Sequence, residues 1–405
     1  MNKKTKWLIL PPHTFVDHIN ASKLFLYNTE TSSNHLITDD ETISLIIELQ
    51  QSYNLGSKIY SEEGSCNVYL KELISRDLLQ LVEAKEKPIV FLPILNLQRD
   101  LEKGELSYRL SIMGSKTKFI SGLFLYIDKP FIPDLANINN IRINAIRQSL
   151  LYGLTDDCEL IMGIEKVKMI FKSLAITSIS IVDIISSISI LTDANLSQLV
   201  RLASNYGYKI RIHTFIDNNN TDRVLKIMAQ HKSIELSLYF DRYSEFDYQQ
   251  FSSKSSKITT QASLIKYVYS ALDFVDSDNI DMLPVYRADE VQMFRDNVFL
   301  TKQDILSNCT SMKEIMRNQK LNATCFGILD ILSNGNVYPH GGRVPVSNIS
   351  NKNYLLESVT SELVNNQSWR VTRDKNNCSN CQYRFICPPV SLLELQIEDI
   401  KACIL

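Results

Sequence analysis

Apolar and polar positions change period along the chain, and each change marks a different kind of unit. From about residue 20 to 85 the pattern predicts a strand at Lys23–Tyr27, a turn through Ser32-Ser33-Asn34 and a helix opening after Thr38-Asp-Asp-Glu41. That tetrapeptide reads as a capping box, with the Thr38 hydroxyl taking the amide of Glu41 and the Glu41 side chain reaching back. Ile43, Ile46, Ile47 and Leu49 supply the buried stripe. A second helix is expected at Val68–Arg76 and a short wing strand at Leu78–Val82. Such a winged-helix-like unit can pack on a neighbour or offer an exposed strand edge to a peptide.

From about residue 117 the pattern alternates between strand and helix. Strands are expected at Phe119–Ile127, Ser178–Ile185, Lys209–Phe215, Ile234–Phe240 and Ile280–Tyr286, with helices at Ile164–Leu174, Asn195–Asn205, Thr221–Gln230 and Ser263–Phe274. Repeated β/α units imply a parallel sheet, either an open doubly wound one or a partial barrel, and in both forms ligands sit at the C-terminal ends of the strands. The loop from Asp128 to Thr155 would overhang that mouth, and it contains no cysteine. Neither G-x-G-x-x-G nor G-x-x-x-x-G-K occurs, which removes the usual phosphate cradles. His213 and His231 read as packed or surface histidines, and Cys66 and Cys158 as buried structural thiols.

In the last third, apolar runs at Ile328–Leu332 and Val337–Tyr338 flank Ser333-Asn334-Gly335-Asn336. An Asn-Gly pair in that setting predicts a hairpin with a type I′ turn. Folding it back brings His340 near Leu329, so Cys325 and His340 can meet at one end of the two strands. A helix is expected at Tyr354–Val364, with Trp369 anchoring the return of the chain.

Composition narrows the partners. The 405 residues, enough for two or three domains, carry a formal charge of -2 and no long basic stripe, which argues against nucleic acid and anionic membrane. Pro11 and Pro12 end the apolar run Trp7-Leu-Ile-Leu10 too early for a signal peptide, and no segment is apolar enough to cross a bilayer. Eight cysteines at irregular spacing do not form a disulfide framework, so a reducing cytoplasmic setting fits.

Half of those cysteines are concentrated in Cys378-x2-Cys381-x5-Cys387 followed by Cys403. Four thiolates select zinc or an iron–sulfur cluster, and one knuckle followed by two more distant cysteines leans towards a [4Fe-4S] cubane. Zinc and unliganded buried thiols are the alternatives. Asp330, Arg373 and Tyr383, close to the site in sequence, read as surface or packing residues.

The pattern Cys325-x9-Gly335-x4-His340, Cys378-x2-Cys381-x5-Cys387-x3-Ser391 and Cys403 resembles the SPASM domain of radical S-adenosylmethionine peptide-modifying enzymes. The segments Asn322-Ala-Thr-Cys-Phe-Gly-Ile-Leu-Asp330, Gly335-Asn-Val-Tyr-Pro339 and Cys387-Pro-Pro-Val-Ser391 are similar to the "grasp-with-spasm" peptide maturases. The resemblance implies an α/β fold in three parts: a winged-helix-like leader-recognition module over residues 1–100, a partial (β/α) barrel of radical-SAM type over 101–305 and a SPASM domain over 306–405. It implies a component of a ribosomal peptide maturation system that acts on or presents a precursor peptide together with an ATP-grasp ligase. Its outer auxiliary cluster would be held by Cys378, Cys381, Cys387 and Cys403. The second auxiliary site is reduced to Cys325, with His340 and Ser391 where the family has cysteines, and Cys309 as a further candidate ligand. The initiating C-x-x-x-C-x-x-C is missing from Asp128–Thr155, so S-adenosylmethionine cleavage by the usual ligands is not implied. A zinc-stapled, non-catalytic peptide-binding scaffold is the alternative reading.

Overall fold

The computed structural model describes residues 5–60, 67–92, 116–128, 141–142, 161–216, 220–231, 233–240, 251, 253–254, 264–269, 281–283, 285–286, 291–375, 377–396, 401 and 403–405. The N-terminal part contains β1 (Thr5–Ile9), β2 (Thr14–Asn20), β3 (Lys23–Asn28), β4 (Asn34–Ile37), α1 (Asp40–Gln50), β5 (Ser57–Ile59), α2 (Asn67–Ser75) and β6 (Gln80–Ala84). Strand β1 lies antiparallel between β5 and β6, and β2–β3–β4 form a separate antiparallel meander. The cap of α1 is Asp39, not Thr38. Its carboxylate accepts from the Thr42 amide at 2.8 Å and the Thr42 hydroxyl at 2.7 Å, and a full negative charge at a helix N-terminus outcompetes a neutral hydroxyl one residue earlier.

Strand β3 explains how this part is attached. Leu24 and Leu26 face a leucine-rich core with Ile43, Ile46 and Leu73, while Phe25 and Tyr27 face the other way, against Tyr383, Phe385, Ile386 and Cys387. Period-2 alternation thus makes one strand the wall between two cores. Phe25 meets Tyr383 edge-on at 5.6 Å, and Phe15 meets Phe385 at 6.3 Å.

After a 3-10 turn at Thr117–Phe119, the middle of the chain supplies β7 (Gly122–Tyr126), β8 (Ile141–Arg142), α3 (Ile164–Ser173), β9 (Ile181–Ile185), α4 (Asp193–Tyr206), β10 (Lys209–Ile216), α5 (Thr221–Gln230), β11 (Glu235–Phe240), β12 (Leu264–Tyr269), β13 (Asp281–Leu283) and β14 (Val285–Tyr286). The last part supplies α6 (Val291–Asn297), α7 (Lys302–Ser307), α8 (Met312–Asn318), β15 (Ile328–Ile331), β16 (Asn336–Pro339), β17 (Ser347–Asn348), α9 (Tyr354–Asn365) and α10 (Leu392–Gln396).

Nine strands form one sheet in the order β13-β12-β11-β10-β9-β7-β15-β16-β17. Seven of them, β13 through β15 in that order, run parallel; β16 and β17 are antiparallel. From β7 to β13 the order steps steadily to one side, without the reversal that defines a doubly wound sheet. Steady stepping with crossovers of one hand places the helices on one face. Accordingly Phe171, Leu196, Leu199, Val224 and Ile227 share a core with Leu123, Val182, Ile184, Ile212 and Leu238.

The segment Ser263–Phe274, expected as a helix, contains the strand β12. Ile265, Tyr267, Val268 and Tyr269 are β-branched or aromatic and suit a pleated surface, and a parallel ladder on β11 at Leu236↔Leu264 decides against the helical period. The segment Ile280–Tyr286 divides between β13 and β14, and β14 pairs with β8. The hairpin β15–β16 forms as expected, but with a different turn. Among Ser333, Asn334 and Gly335 only Gly335 has positive φ (+98°), and its amide donates to Leu332 O at 2.8 Å, giving a three-residue loop closed by a glycine bulge. Trp369 is fully buried, its Nε1 donating to Ile328 O at 3.1 Å. Cys66, Cys158 and most of the Asp128–Thr155 loop lie outside the described residues.

Candidate functional site

The C-x-x-C knuckle is a tight turn, closed by the Cys381 amide donating to Cys378 O at 2.9 Å. Cys387 follows a second turn, its amide donating to Tyr383 O at 2.8 Å. Cys403 is carried back by an isolated parallel bridge to Leu300, with the Ile404 amide donating to Leu300 O at 3.1 Å. Cys381, Cys387 and Cys403 pack in the same core as Phe25 and Tyr383, and Cys378 is buried beside them. Burial pushes the Cys387 thiol up to about 12, with Arg373 pulling down and Cys403 and Cys378 pushing up. Burial raises Cys378 too, partly offset by Arg373. These mutual effects place three of the thiols in one electrostatic neighbourhood.

Arg373, read from the sequence as a surface or packing residue, is buried and organises the site. It donates from Nε to Pro388 O at 2.6 Å, from Nη2 to Pro389 O at 3.2 Å and from Nη1 to the Cys378 sulfur at 3.6 Å. A two-point ion pair with Glu394, at 2.8 and 3.2 Å, completes its shell. The one available signal was an arginine five residues ahead of a thiol knuckle. A guanidinium aimed at a cysteine sulfur stabilises a thiolate, so the donor chemistry suits a thiolate-bound metal centre. Among the described residues, no group of three or more His, Cys, Asp or Glu side chains is arranged to hold a metal ion. The four thiols therefore share a neighbourhood without a closed ligand shell.

The second candidate set divides. Cys325 is buried, its thiol pushed well above the ordinary range by burial, with the charges of Asp330 and Glu362 adding to the shift. A Cβ on Gly341 would lie 3.5 Å from its sulfur, which puts Cys325 at the His340 end of the hairpin. His340 is held there by its amide donating to Ile328 O at 3.0 Å and by Nδ1 3.1 Å from each Asp330 oxygen. Cys309 belongs elsewhere. It is exposed and donates to Thr29 O at 2.9 Å, against the N-terminal meander. Ser391, where the resemblance expects a cysteine, donates from its amide and its hydroxyl to Glu394 at 2.8 Å each. Tyr383 and Asp330 are buried partners of Phe25 and His340.

A further polar cluster lies on the sheet face opposite α3, α4 and α5. Val182, Ile184, Ile210, Ile212, Leu236 and Leu238 pack with the helices, so period-2 alternation turns Asp183, Arg211, His213, Glu235 and Tyr239 to the other side. Arg211 bridges Asp183 at 3.1 Å and Glu235 at 2.9 Å. His213, expected to be an ordinary packed or surface histidine, is buried with Nε2 2.8 Å from Asp183 Oδ1 and Nδ1 2.9 Å from the Tyr239 hydroxyl. Burial holds its pKa below the ordinary value, against the opposing pull of Asp183. At the C-terminal ends of β7 and β9, Asp128 accepts from the Ser187 amide and hydroxyl, and its carboxyl is pushed up by burial. Nothing in spacing pointed to the Asp183–Arg211–His213–Glu235–Tyr239 network, because its members come from three strands.

No protein-family model matches the chain, and no curated protein matches it. Among solved structures, native anSMEcpe with bound AdoMet is similar at a TM-score of 0.37 and 11% sequence identity, over 69% of this chain and 92% of that one. No helix among the described residues is long and apolar enough to cross a membrane.

Proposed function

We propose that this chain is a SPASM-type component of a ribosomal peptide maturation system, of the grasp-with-spasm kind, working in the cytoplasm. In this reading residues 1–100 recognise a precursor peptide, the singly wound parallel sheet within 101–305 corresponds to a partial barrel, and 306–405 carry an auxiliary [4Fe-4S] cluster. An ATP-grasp ligase is the expected partner. The observation that carries the reading is the placing of Cys378 and Cys387 beside a buried arginine, with Cys381 and Cys403 packed against the same core as Cys387 and Cys403 brought there by the bridge at Leu300. A cluster held there would supply electron transfer. The chain's own residues do the rest: Arg373 donates to sulfur, Glu394 fixes Arg373, and the aromatic wall of Phe15, Phe25, Tyr383 and Phe385 excludes water.

The test is anaerobic purification followed by iron, sulfide and zinc analysis and an absorption spectrum, on the wild type and on a Cys378→Ala/Cys381→Ala variant. About four irons per chain, lost in the variant, is the expected result for one cubane. About eight would add a second centre at Cys325 and His340. One zinc in a colourless protein would overturn the cluster and leave a zinc-stapled peptide-binding scaffold.

A further inference from the structure

Beyond β6 the chain turns back and lies along β5, the strand at one edge of the β5-β1-β6 sheet. The Val90 amide donates to Leu55 O at 2.9 Å, and the Ser57 hydroxyl donates to Pro88 O. Position 90 thus faces 55 while position 88 faces 57, which is the register of an antiparallel strand. Side chains alternate as they do on a strand. Val90 and Leu92 turn inward, Val90 against Gly56 and Leu92 into the leucine-rich core, whereas Ile89 and Phe91 are 60% and 86% exposed. Residues 88–92 therefore occupy the place of an added strand beside β5.

The seat is shaped for that strand. Leu55 and Gly56 have φ of +50° and +71°, a left-handed backbone that is unfavourable for leucine. Their two carbonyls serve different partners: Leu55 O accepts from Val90, and Gly56 O accepts from the Leu10 amide just after β1, at 2.9 Å. A Cβ on Gly56 would stand 2.9 Å from the Val90 Cβ and 3.5 Å from Leu92 Cδ2, so any side chain there would fill the seat. The strand in the seat is only half rewarded. Ile89 and Phe91 gain little burial from it, and Tyr53, Leu55 and Ile59, on and just before β5, are exposed as well. Large apolar side chains left in water beside a sheet edge mark a place where one strand can be exchanged for another.

We propose that residues 88–92 are a removable strap that fills the seat of an extended peptide on β5, and that a partner peptide adds to this edge by displacing them. The strap itself states the chemistry of that partner. It needs a backbone amide for Leu55 O, a β-branched residue over Gly56 and an aliphatic residue two positions further on for the leucine core. This rests on the reading of residues 1–100 as a peptide-recognition module, and adds that the module is closed by its own chain. An edge open about a tenth of the time binds a competing strand about tenfold more weakly than a permanently open one. Release of the strap is thus a switch on peptide affinity.

The test uses a fluorescein-labelled synthetic peptide with the sequence of residues 86–92, Glu-Lys-Pro-Ile-Val-Phe-Leu, and fluorescence anisotropy on the full chain. In Val90→Pro the strap has no amide hydrogen to give Leu55 O. That variant is expected to bind the peptide at least tenfold more tightly than the wild type, and a peptide carrying the same Val90→Pro change is expected to bind neither. Equal affinity for both chains would overturn the strap while leaving a peptide-binding edge intact, and no binding to either chain would overturn the seat itself. Hydrogen exchange on the wild type gives a second answer that depends on no variant folding. The Val90 amide is expected to exchange at least a hundredfold faster than the Leu10 amide on the neighbouring carbonyl, after correction for intrinsic rates, because the strap opens by itself. Equal protection of the two amides would make residues 88–92 a permanent strand of the unit and overturn the proposal.

Discussion

Arg384 reaches back 367 residues to Asp17, donating from Nη2 to Oδ1 at 2.7 Å and from Nε to Oδ2 at 2.9 Å. The same guanidinium donates to Ser379 O inside the cysteine knuckle and lies 4.8 Å over the Phe385 ring. One side chain thus joins the N-terminal meander to the thiol site. Burial raises the Asp17 carboxyl, and Arg384 pulls it back down. Arg384→Ala leaves a buried, uncompensated carboxylate and is expected to cost about 3 kcal/mol in guanidinium unfolding. Adding Asp17→Leu should restore part of the loss. A double variant less stable than Arg384→Ala would mean that the pair is not the source of the effect.

Arg373 cannot be exchanged for lysine. Its fork serves two carbonyls, Glu394 and the Cys378 sulfur at once, and an ammonium can satisfy only part of that set. Arg373→Lys is expected to lose about 2 kcal/mol of stability and Arg373→Ala about 4 kcal/mol, because Glu394 is then buried with no cation. Thermal and denaturant unfolding measure both. Equal stability of wild type and Arg373→Lys would show that charge alone suffices.

Asp128 has a definite pH signature. Its folded carboxyl is held above the ordinary value by burial, against the bonds from Ser187. A raised folded pKa means that the folded state keeps its proton longer than the unfolded chain. The contribution is therefore full below the ordinary carboxylate range and is lost as pH rises through the raised value. Asp128→Asn should remove that decline. Unfolding midpoints taken across mildly acidic pH should slope less in the variant, and parallel slopes would contradict the assignment.

Gly327 permits a backbone approach that no other residue could make. At φ +79°, a Cβ there would lie 2.2 Å from Phe119 O, and the Gly327 carbonyl itself accepts from Ser121 and Gly122. This junction seats β15 beside β7, linking the C-terminal hairpin to the parallel strands. Gly327→Ala combines left-handed strain with a clash against backbone, so a loss of about 3 kcal/mol or failure to fold is expected. Normal expression and an unchanged melting temperature would show that the junction can open without cost.

Local pattern carried much of this protein. The helices over Ile164–Ser173, Asp193–Tyr206 and Thr221–Gln230, the strands β9 to β11 and the hairpin at Gly335 were all legible from period and turn chemistry. Their signals lie within about ten residues, where side-chain spacing acts directly on backbone geometry. The turn of the C-x-x-C knuckle is a short-range feature of the same kind, whereas the return of Cys403 rests on its long-range bridge to Leu300. Segment 263–274 went wrong because apolar runs of that length satisfy either period, and the partner strand decided the outcome.

What tertiary structure alone decided are the relationships between distant residues. The sequence offers Arg373, Arg384, His213 and Asp183 as unremarkable polar positions, and each acquires a role only from what the fold brings against it. Asp183, His213 and Tyr239 meet because parallel strands in register stack positions that lie 26 to 30 residues apart, and Asp17 meets Arg384 across nearly the whole chain. Hydrogen bonds and ion pairs depend on distances of a few ångströms in space, and separation along the chain does not encode those distances.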